Sequence, residues 1–358
     1  MVTFSFGERY RIQLFGESHG ECVGVVVDGC PPGLDIIEND IQTELDRRRP
    51  GKSKLASSRK ESDRIRIHSG VLDGRTTGAP ITMTIANRDV DSSWYDRTKH
   101  IMRPGHADYT ARVKYNGHND HRGGGTFSGR MTAGLVMAGS IAKIILEEEG
   151  IELLAHTVRI GKVAVDSVIP NEMIRKHVYS NSVRCADINL VSEMEEQVMK
   201  ASQNGDSVGG LVECRISGVP IGLGEPFFDS IESVMSHAMF SIPGVKGIEF
   251  GSGFDSASMK GSEHNDPAEI INGEVAWTKN DAGGIIGGIT NGAEVEFKVA
   301  FKPTPTISKP QNTIDMQQMQ EIELSARGRH DPCIVPRAVP VVECLAAIVM
   351  VDFLRRCN

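Results

Sequence analysis

Glycine recurs at short intervals along this chain, which predicts many tight turns and close approaches between backbone segments. The sequence holds 38 glycines in 358 residues, where a usual globular chain carries ~7%. They follow no Gly-X-Y period, which excludes a collagen-like fibre. Residues at such turns have positive φ or lie close to another backbone. The longest apolar run, 344–351, is far shorter than the ~20 residues of a membrane helix, so we predict a globular chain that does not span a membrane.

Apolar periodicity predicts strands and helices in mixed order. The predicted strands are 11–15, 23–27, 82–86, 151–157, 208–216, 246–250 and 293–301, and the predicted helices are 38–48, 132–149, 192–204, 229–240, 314–325 and 338–356. No linker divides them, so we predict a single domain over 1–358. Segments 26–34 and 215–223 each run from a strand into Gly-x-Pro-x-Gly-Leu. Chance explains so short a match more readily than a duplicated unit. The mixed order favours an α+β protein.

The charge balance and the cysteines indicate where the protein works. Lys and Arg number 39 against 47 Asp and Glu, a net charge of −8, which disfavours general binding to nucleic acid or an anionic membrane. The seven cysteines form no Cys-x-x-Cys pair, and the first residues lack the apolar stretch of a signal peptide. We therefore expect reduced thiols in a cytoplasmic protein.

Residues 16–20, Gly-Glu-Ser-His-Gly, match the Gly-x-Ser-x-Gly motif that carries the nucleophile of many hydrolases. That motif requires a strand before the serine and a helix after it, whereas the following segment is predicted as a strand. The pattern recurs at 205–209, so it arises easily by chance. A serine hydrolase with Ser18 as nucleophile remains an open but less favoured alternative, and His19 alone suggests only a solvated hairpin residue.

Three other motifs are rejected. Residues 50–53, Pro-Gly-Lys-Ser, resemble the end of a P-loop, but Asp46 stands where that motif needs a glycine. No Gly-x-Gly-x-x-Gly occurs, so a Rossmann dinucleotide site has no support. His118 and His121 lack the further ligands of a tetrahedral set, so no metal site is predicted.

Three segments concentrate the residues that bind anions. Residues 47–66 contain nine Arg or Lys in twenty positions, although a solvated charged face is about equally plausible. Residues 103–130 combine Arg103, His106 and a glycine run that leads into a predicted helix, a usual pocket for anions. Residues 327–337 surround Asp331 with arginines. Together they indicate an anionic small-molecule ligand, bound either by an enzyme of unknown reaction or by a non-catalytic binding protein.

Seven segments carry a family resemblance. Residues 16–20, 28–33, 45–51, 103–108, 282–288, 302–304 and 328–333 resemble chorismate synthase, in the family's order. The resemblance implies a β-α-β sandwich of two antiparallel sheets enclosing helices, assembled as a homotetramer. It also implies a carbon–oxygen lyase of the shikimate pathway to aromatic amino acids. Its reaction is the anti-1,4-elimination of phosphate from 5-enolpyruvylshikimate-3-phosphate, which gives chorismate and requires reduced FMN.

The resemblance also implies roles for individual residues. His19 would protonate the leaving phosphate, His106 would compensate the flavin's charge, and Asp331 with Ser18 would relay a proton from the flavin. Five basic residues would hold the substrate's phosphate and carboxylates: Arg48, Arg49, Lys54, Arg103 and Arg337. The flavin would be held by Thr126, Phe127, Ser128, Gly287, Lys302, Pro303, Thr304, Pro305, Thr306 and Arg329.

Three positions depart from the family's common pattern. Lys54 stands where arginine is frequent, which keeps the charge and loses the bidentate fork. Thr126-Phe127 replaces a common Arg-Ser, and Pro243-Gly244 replaces a common Asn-Ala. We expect FMN to bind more loosely as a result. Members of the family differ in whether they reduce their own flavin with NADPH, and the sequence leaves that open.

Overall fold

The structure is a computed structural model that describes residues 4–49, 63–88, 90–326 and 331–357. Its strands are β1 Ser5–Phe6, β2 Arg11–Gly16, β3 Cys22–Asp28, β4 Ile65–Ile67, β5 Val71–Leu72, β6 Arg75–Thr76, β7 Ile81–Ala86, β8 Glu152–Ile160, β9 Val163–Ala164, β10 Gly210–Ser217, β11 Val245–Phe250, β12 Ala268–Ile271, β13 Glu274–Trp277, β14 Ile285–Ile286, β15 Ile289–Thr290, β16 Val295–Phe301, β17 Gln311–Asp315 and β18 Gln320–Leu324. Its α-helices are α1 Glu38–Arg48, α2 Ser93–Thr98, α3 Asp108–Lys114, α4 Thr132–Glu148, α5 Asn171–His177, α6 Val191–Gln203, α7 Ile231–Met239, α8 Gly261–His264 and α9 Val335–Arg356.

Two five-stranded antiparallel sheets form the outer layers of the protein. The first has the strand order β1-β2-β3-β7-β4 and the second β11-β16-β10-β8-β9. Each central strand alternates buried apolar residues with residues on the other face, as Val295, Phe297 and Val299 do in β16. This alternation has the period of two that a strand covered on its apolar face requires.

The helices α4 and α9 lie between the sheets and are almost entirely buried. Gly134 of α4 approaches the first sheet so closely that an added Cβ would lie 2.6 Å from Leu14, and Gly139 lies directly against Cys344 of α9. In turn α9 packs on β8 and β10 of the second sheet. The predicted α+β sandwich of two antiparallel sheets around a helical layer is therefore confirmed.

The buried apolar side chains of both sheets and the helical layer form one continuous cluster, which is consistent with the predicted single domain. Gly129–Glu148 is the one helical stretch in the described part of the chain that is long and apolar enough to cross a membrane. Within its apolar window 83% of the residues are buried inside the protein, as in the core helix of a globular fold.

The predicted helix 314–325 is wrong, because this segment forms the hairpin of β17 and β18. The Asp315 carboxylate accepts hydrogen bonds from the backbone N–H groups of Gln317 and Gln318, which fixes a turn, and Met319 has a φ of 51°. Such a local side-chain bond competes with helix formation. The remaining predicted strands and helices are confirmed, with boundaries shifted by at most a few residues.

Candidate active site

One cleft of about 560 Å³ collects most of the residues that the sequence singled out. It lies where the C-terminal end of α1, the start of α2 and the N-terminal end of α9 meet four loops. Those loops contain residues 103–107, 123–132, 240–246 and 301–306. The segments are far apart in sequence, so only the folded sandwich brings them to one place.

Most of the predicted site residues line this cleft: Arg48, Arg103, His106, Thr126, Phe127, Ser128, Lys302, Pro303, Thr304, Pro305, Thr306, Asp331 and Arg337. Ser18 and His19 lie directly behind Gly123, which does line it. Two predicted residues are placed elsewhere. Arg49 follows α1 and pairs with Asp46 at 3.3 Å, and Gly287 lies in the turn between β14 and β15. Lys54 and Arg329 fall outside the described residues.

Three consecutive glycines separate the two predicted catalytic histidines. Gly123, Gly124 and Gly125, which we call the glycine turn, have φ values of 60°, 87° and 53°. Other residues rarely adopt this left-handed conformation. An added Cβ would lie 2.5 Å from His19 Nε2 at Gly123 and 3.0 Å from His106 Cε1 at Gly124. The glycine turn is therefore a thin backbone wall with one histidine against each of two neighbouring residues.

His19 sits in the turn between β2 and β3, so no helix follows Ser18 as a nucleophile elbow would require. The histidine is 7% exposed. Its Nδ1 lies 2.9 Å from Ser92 Oγ, and its ring meets the Tyr95 ring edge-to-face with centroids 5.1 Å apart. The orientation of the imidazole is therefore defined by residues from the start of α2.

His106 belongs to a charged group with Arg103 and Asp108. The Asp108 carboxylate accepts from Arg103 Nε at 2.8 Å and from Arg103 Nη2 at 2.6 Å, and it lies 2.9 Å from His106 Nδ1. Burial alone would raise the pKa of Asp108, but the hydrogen bonds from Arg103 and His106 outweigh it and hold that pKa well below its usual value. Asp108 is therefore an ionised anchor for both side chains.

A second buried carboxylate, Asp63, anchors two arginines in the floor of the cleft. Arg48 contacts Asp63 at 3.3 Å and donates to Thr132 Oγ1 at 2.9 Å, and Arg130 pairs with the other oxygen of Asp63. Burial alone would raise the pKa of Asp63. The charges of Arg48 and Arg130 lower it by more than burial raises it, so this pKa lies below its usual value. Arg337 lies next to this group, because it donates from Nε to the Arg48 carbonyl at 3.2 Å, and it pairs with Asp331.

Two lysines stand at the mouth of the cleft. Lys302 Nζ donates to the Gly105 carbonyl at 2.6 Å, and its pKa is lowered by partial burial and then by the charge of Lys246. Lys246 is the extra residue of a β-bulge, because Val245 pairs with Phe301 while Gly247 pairs with Ala300. Bulges commonly redirect a side chain beside a functional site.

Sequence reasoning did not identify Ser92, Tyr95, Asp63 or Lys246 as site residues. The weak signals were an aspartate within the basic stretch and a glycine inside a predicted strand, which often marks a bulge. Among the described residues, no cluster of three or more His, Cys, Asp or Glu side chains could hold a metal ion.

The described lining residues carry six basic side chains and one acidic one: Arg48, Arg103, Arg130, Lys246, Lys302 and Arg337 against Asp331. In a chain of net charge −8, this local excess defines a site for a ligand with several negative charges. The fold and the cleft together define an α+β sandwich protein with a basic cleft for a small molecule, beside two histidines.

Comparison with known proteins is consistent with this class. The family model described as chorismate synthase matches residues 10–354. The chain is 51% identical to the chorismate synthase of Korarchaeum cryptofilum, over 98% of this chain and 97% of that protein. It is 48% identical to the chorismate synthase of Dehalococcoides mccartyi strain 195, over 99% and 97% respectively. A crystal structure of chorismate synthase superposes with a TM-score of 0.78 at 28% identity, covering 98% of this chain and 93% of that one.

The chain belongs to the chorismate synthase family, as its motifs predicted. It is accordingly a carbon–oxygen lyase that acts on a small-molecule substrate in the shikimate pathway of aromatic amino acid biosynthesis. A flavin cofactor is characteristic of the family.

Proposed function

We propose that this cleft binds 5-enolpyruvylshikimate-3-phosphate and reduced FMN and eliminates phosphate to give chorismate. The observation that carries the proposal is the excess of basic side chains around a cleft whose glycine turn contacts His19 at Gly123 and His106 at Gly124. The substrate has a phosphate and two carboxylates, so Arg48, Arg103 and Arg337 match its charges. Arginine pairs with both kinds of group through two parallel hydrogen bonds.

The arginines contribute most at the leaving phosphate. Negative charge accumulates there as the carbon–oxygen bond breaks, and donors already held in place stabilise that charge without reorganising. Asp63 and Asp331 hold Arg48 and Arg337 in their positions before the substrate arrives. His19 would donate a proton to the departing phosphate, and general acids of this kind accelerate such steps by about 10²–10⁴-fold.

The cleft also fits a flavin. The Thr304 hydroxyl is buried and has no hydrogen-bond partner in the described part of the chain, and Phe127 contributes an aromatic ring to the lining of the same cleft. Lys302 and Lys246 suit the flavin's phosphate. When bound, reduced FMN supplies electron density to the allylic centre from which phosphate departs. His106 would stand beside it to balance its charge, and Asp331 with Ser18 would pass on a proton.

The proposal also covers the oligomeric state of the protein, its cellular location and its partners. We propose a homotetramer, because Phe227, Phe228, Phe254 and Ile270 are each at least 80% exposed and would be covered by further subunits. We propose a reducing, cytoplasmic location without nucleic acid or membrane partners. Supporting this, all seven cysteines lie in the described residues and carry free thiols.

An anaerobic turnover experiment tests the reaction. The purified protein is mixed with chemically reduced FMN and 5-enolpyruvylshikimate-3-phosphate, and chorismate absorbance and released phosphate are followed together. We expect equal amounts of both products, and neither without reduced flavin. Binding of the substrate without turnover would favour a non-catalytic anion-binding protein. Ester hydrolysis that needs no flavin and is lost in Ser18→Ala would favour the hydrolase alternative.

A binding experiment tests the flavin position separately. FMN and riboflavin differ only in the phosphate, and fluorescence quenching measures the affinity of each. Lys246→Gln and Lys302→Gln should each weaken FMN binding by about 3- to 10-fold and leave riboflavin binding unchanged, since one charged hydrogen bond is lost. Lys200→Gln, in an exposed pair with Glu196 on α6, is the matched control. Equal effects on both flavins would place the phosphate elsewhere.

A further inference from the structure

We propose that Ser92 is a positioning residue for His19, holding the imidazole so that Nε2 faces Gly123 of the glycine turn, whose backbone lines the cleft. The inference rests on the proposed function, in which His19 is the general acid. Its basis is the 2.9 Å contact between Ser92 Oγ and His19 Nδ1. The two residues are 73 positions apart in the chain, so the contact exists only in the folded protein.

The imidazole is held on three sides. Ser92 contacts Nδ1, Tyr95 packs edge-to-face against the ring at an interplanar angle of 88°, and Gly123 lies against the Cδ2–Nε2 edge. Ser92 and Tyr95 are three residues apart at the start of α2, so one helical turn presents both side chains on the same face. The ring can therefore neither flip nor slide without breaking one of these contacts.

The contact with Ser92 leaves Nε2 as the nitrogen that faces Gly123. When His19 carries both ring protons, as a general acid does, the Ser92 oxygen accepts the hydrogen bond from Nδ1–H. The proton that leaves for the substrate is then the one on Nε2, on the side of Gly123. Fixing the second nitrogen of a histidine in this way sets the reactive tautomer, as it does in other acid–base sites.

The two histidines of the cleft differ in the partner of this second nitrogen. His19 faces the neutral hydroxyl of Ser92, whereas His106 faces the carboxylate of Asp108 at 2.9 Å. An ionised carboxylate stabilises a positive charge on its neighbour, and a hydroxyl adds no charge. Nδ1 of His19 therefore contacts a neutral group, whereas Nδ1 of His106 lies between the Asp108 carboxylate and the Arg103 guanidinium, 3.1 Å from Nη2.

In the described part of the chain, Asp91 interacts with the charge of His19, and Arg103 packs on the Tyr95 ring that contacts His19. The pKa of Asp91 lies below its usual value because of hydrogen bonds from Ser93 and, to a smaller extent, the charges of Arg97 and His19. The Arg103 guanidinium lies over the Tyr95 ring, 5.4 Å from its centroid.

Removing the hydroxyl should leave the fold intact. Ser92 is the residue before the first turn of α2, but its side chain makes no capping hydrogen bond to that helix. Ser92→Ala therefore removes the contact with His19 without removing a cap. Ser92→Gly is a second variant for the same purpose. Thr98→Ala is the matched control, since Thr98 is the last residue of α2 and its hydroxyl donates to the Trp94 carbonyl of the same helix, at 2.8 Å.

The test combines kinetics with a spectrum that needs no turnover. In the assay above, Ser92→Ala and Ser92→Gly should lower kcat by about 10- to 100-fold and leave KM within about threefold. Ser92→Thr, which keeps the hydroxyl, should recover most of kcat, and Thr98→Ala should match the wild type. The ¹⁵N NMR spectrum of His19 should change from a single Nδ1–H tautomer to a mixture in Ser92→Ala only.

The double variant separates this inference from the proposed role of His19. In a His19→Gln background, Ser92→Ala should lower kcat no further, because the two residues act as a unit. An equal loss in both backgrounds, or an unchanged His19 tautomer, would overturn the positioning role of Ser92. An undiminished kcat in His19→Gln alone would instead overturn the proposed function of His19, and with it the premise of the inference.

Discussion

The substitution Gly123→Ala tests whether the glycine turn, which separates His19 from His106, fixes the position of the His19 imidazole. Gly123 has a φ of 60°, and an alanine Cβ there would lie 2.5 Å from His19 Nε2 and 2.8 Å from Ser18 Oγ. These separations are well inside the ~3.5 Å of an ordinary non-bonded contact. Because Ser92 and Tyr95 hold the ring on its other sides, the imidazole has to move by about 1 Å or leave its preferred rotamer.

Two free-energy costs determine how much Gly123→Ala should destabilise the protein. An alanine in the left-handed region costs about 1–2 kcal/mol relative to glycine, and a ring forced off its rotamer costs about 0.5–1.5 kcal/mol more. We therefore expect Gly123→Ala to lower the free energy of unfolding by about 2–3 kcal/mol. A displacement of about 1 Å in a catalytic group can cost about 10²-fold in rate, so kcat should fall by about that factor.

Gly117→Ala is the matched control. Gly117 has a similar φ of 79°, but nothing lies within 4 Å of its added Cβ. This variant should lose only the backbone term, about 1–2 kcal/mol, and keep the wild-type kcat. Urea titration gives the free energies of unfolding, and anaerobic turnover gives kcat. The reasoning is refuted if folded Gly123→Ala keeps kcat within about twofold of Gly117→Ala, since the imidazole could then move without consequence.

Three buried charges make further predictions, each checked by urea-derived free energies of unfolding. Burial would raise the pKa of Asp108, but hydrogen bonds from Arg103 and His106 hold it below the usual value; the ionised carboxylate therefore stabilises the fold fully above about pH 5 and less as the pH falls, so Asp108→Asn should flatten the dependence of stability on pH below about pH 5. Asp352 Oδ1 accepts three consecutive backbone N–H groups at 2.7 to 2.9 Å, so Asp352→Asn should cost about 2–3 kcal/mol. Lys143→Met leaves Glu343 buried without its cation and should cost about 3–5 kcal/mol, part of which Glu343→Gln should restore.

The central layers of the fold were predictable because their residues follow a regular apolar period. Helices α4 and α9 and strand β16 are buried along their apolar faces, and such patterns identify an element without knowledge of its neighbours. The hairpin of β17 and β18 was not predictable in this way. Its geometry depends on the turn at Asp315 and on contacts with another segment, such as the bridge from Asp315 to Ile101.

The same difference between local pattern and tertiary contact separates the site residues that the sequence predicted from those that it did not. Family motifs identified His19, His106 and Asp331, because each motif is a short continuous stretch of sequence. Tyr95 belongs to α2 and Ser92 immediately precedes it; α2 is a six-residue helix with no buried residue, so no apolar periodicity marks it. Their contact with His19 depends on how the loop before α2 passes the β2–β3 turn, which is a property of the tertiary structure.

The carboxylates of the site explain how so many cations coexist in one cleft. Asp63 and Asp331 each hold an arginine that lines the cleft, and Asp108 holds Arg103. These pairs lower the cost of placing guanidinium groups close together before a ligand is present. They also fix the direction of each group, so a polyanionic ligand meets donors that need little rearrangement.

The two lysines at the mouth have no such anchor among the described residues. Lys302 is held only by a neutral carbonyl, and no acidic partner of Lys246 lies within ion-pair distance in the part of the chain the structure describes. Their mutual repulsion, which contributes to the lowered pKa of Lys302, is relieved when an anion enters between them. The floor of the cleft is thus arranged to orient its ligand through fixed arginines, while the mouth gains most in electrostatic free energy at the moment of binding.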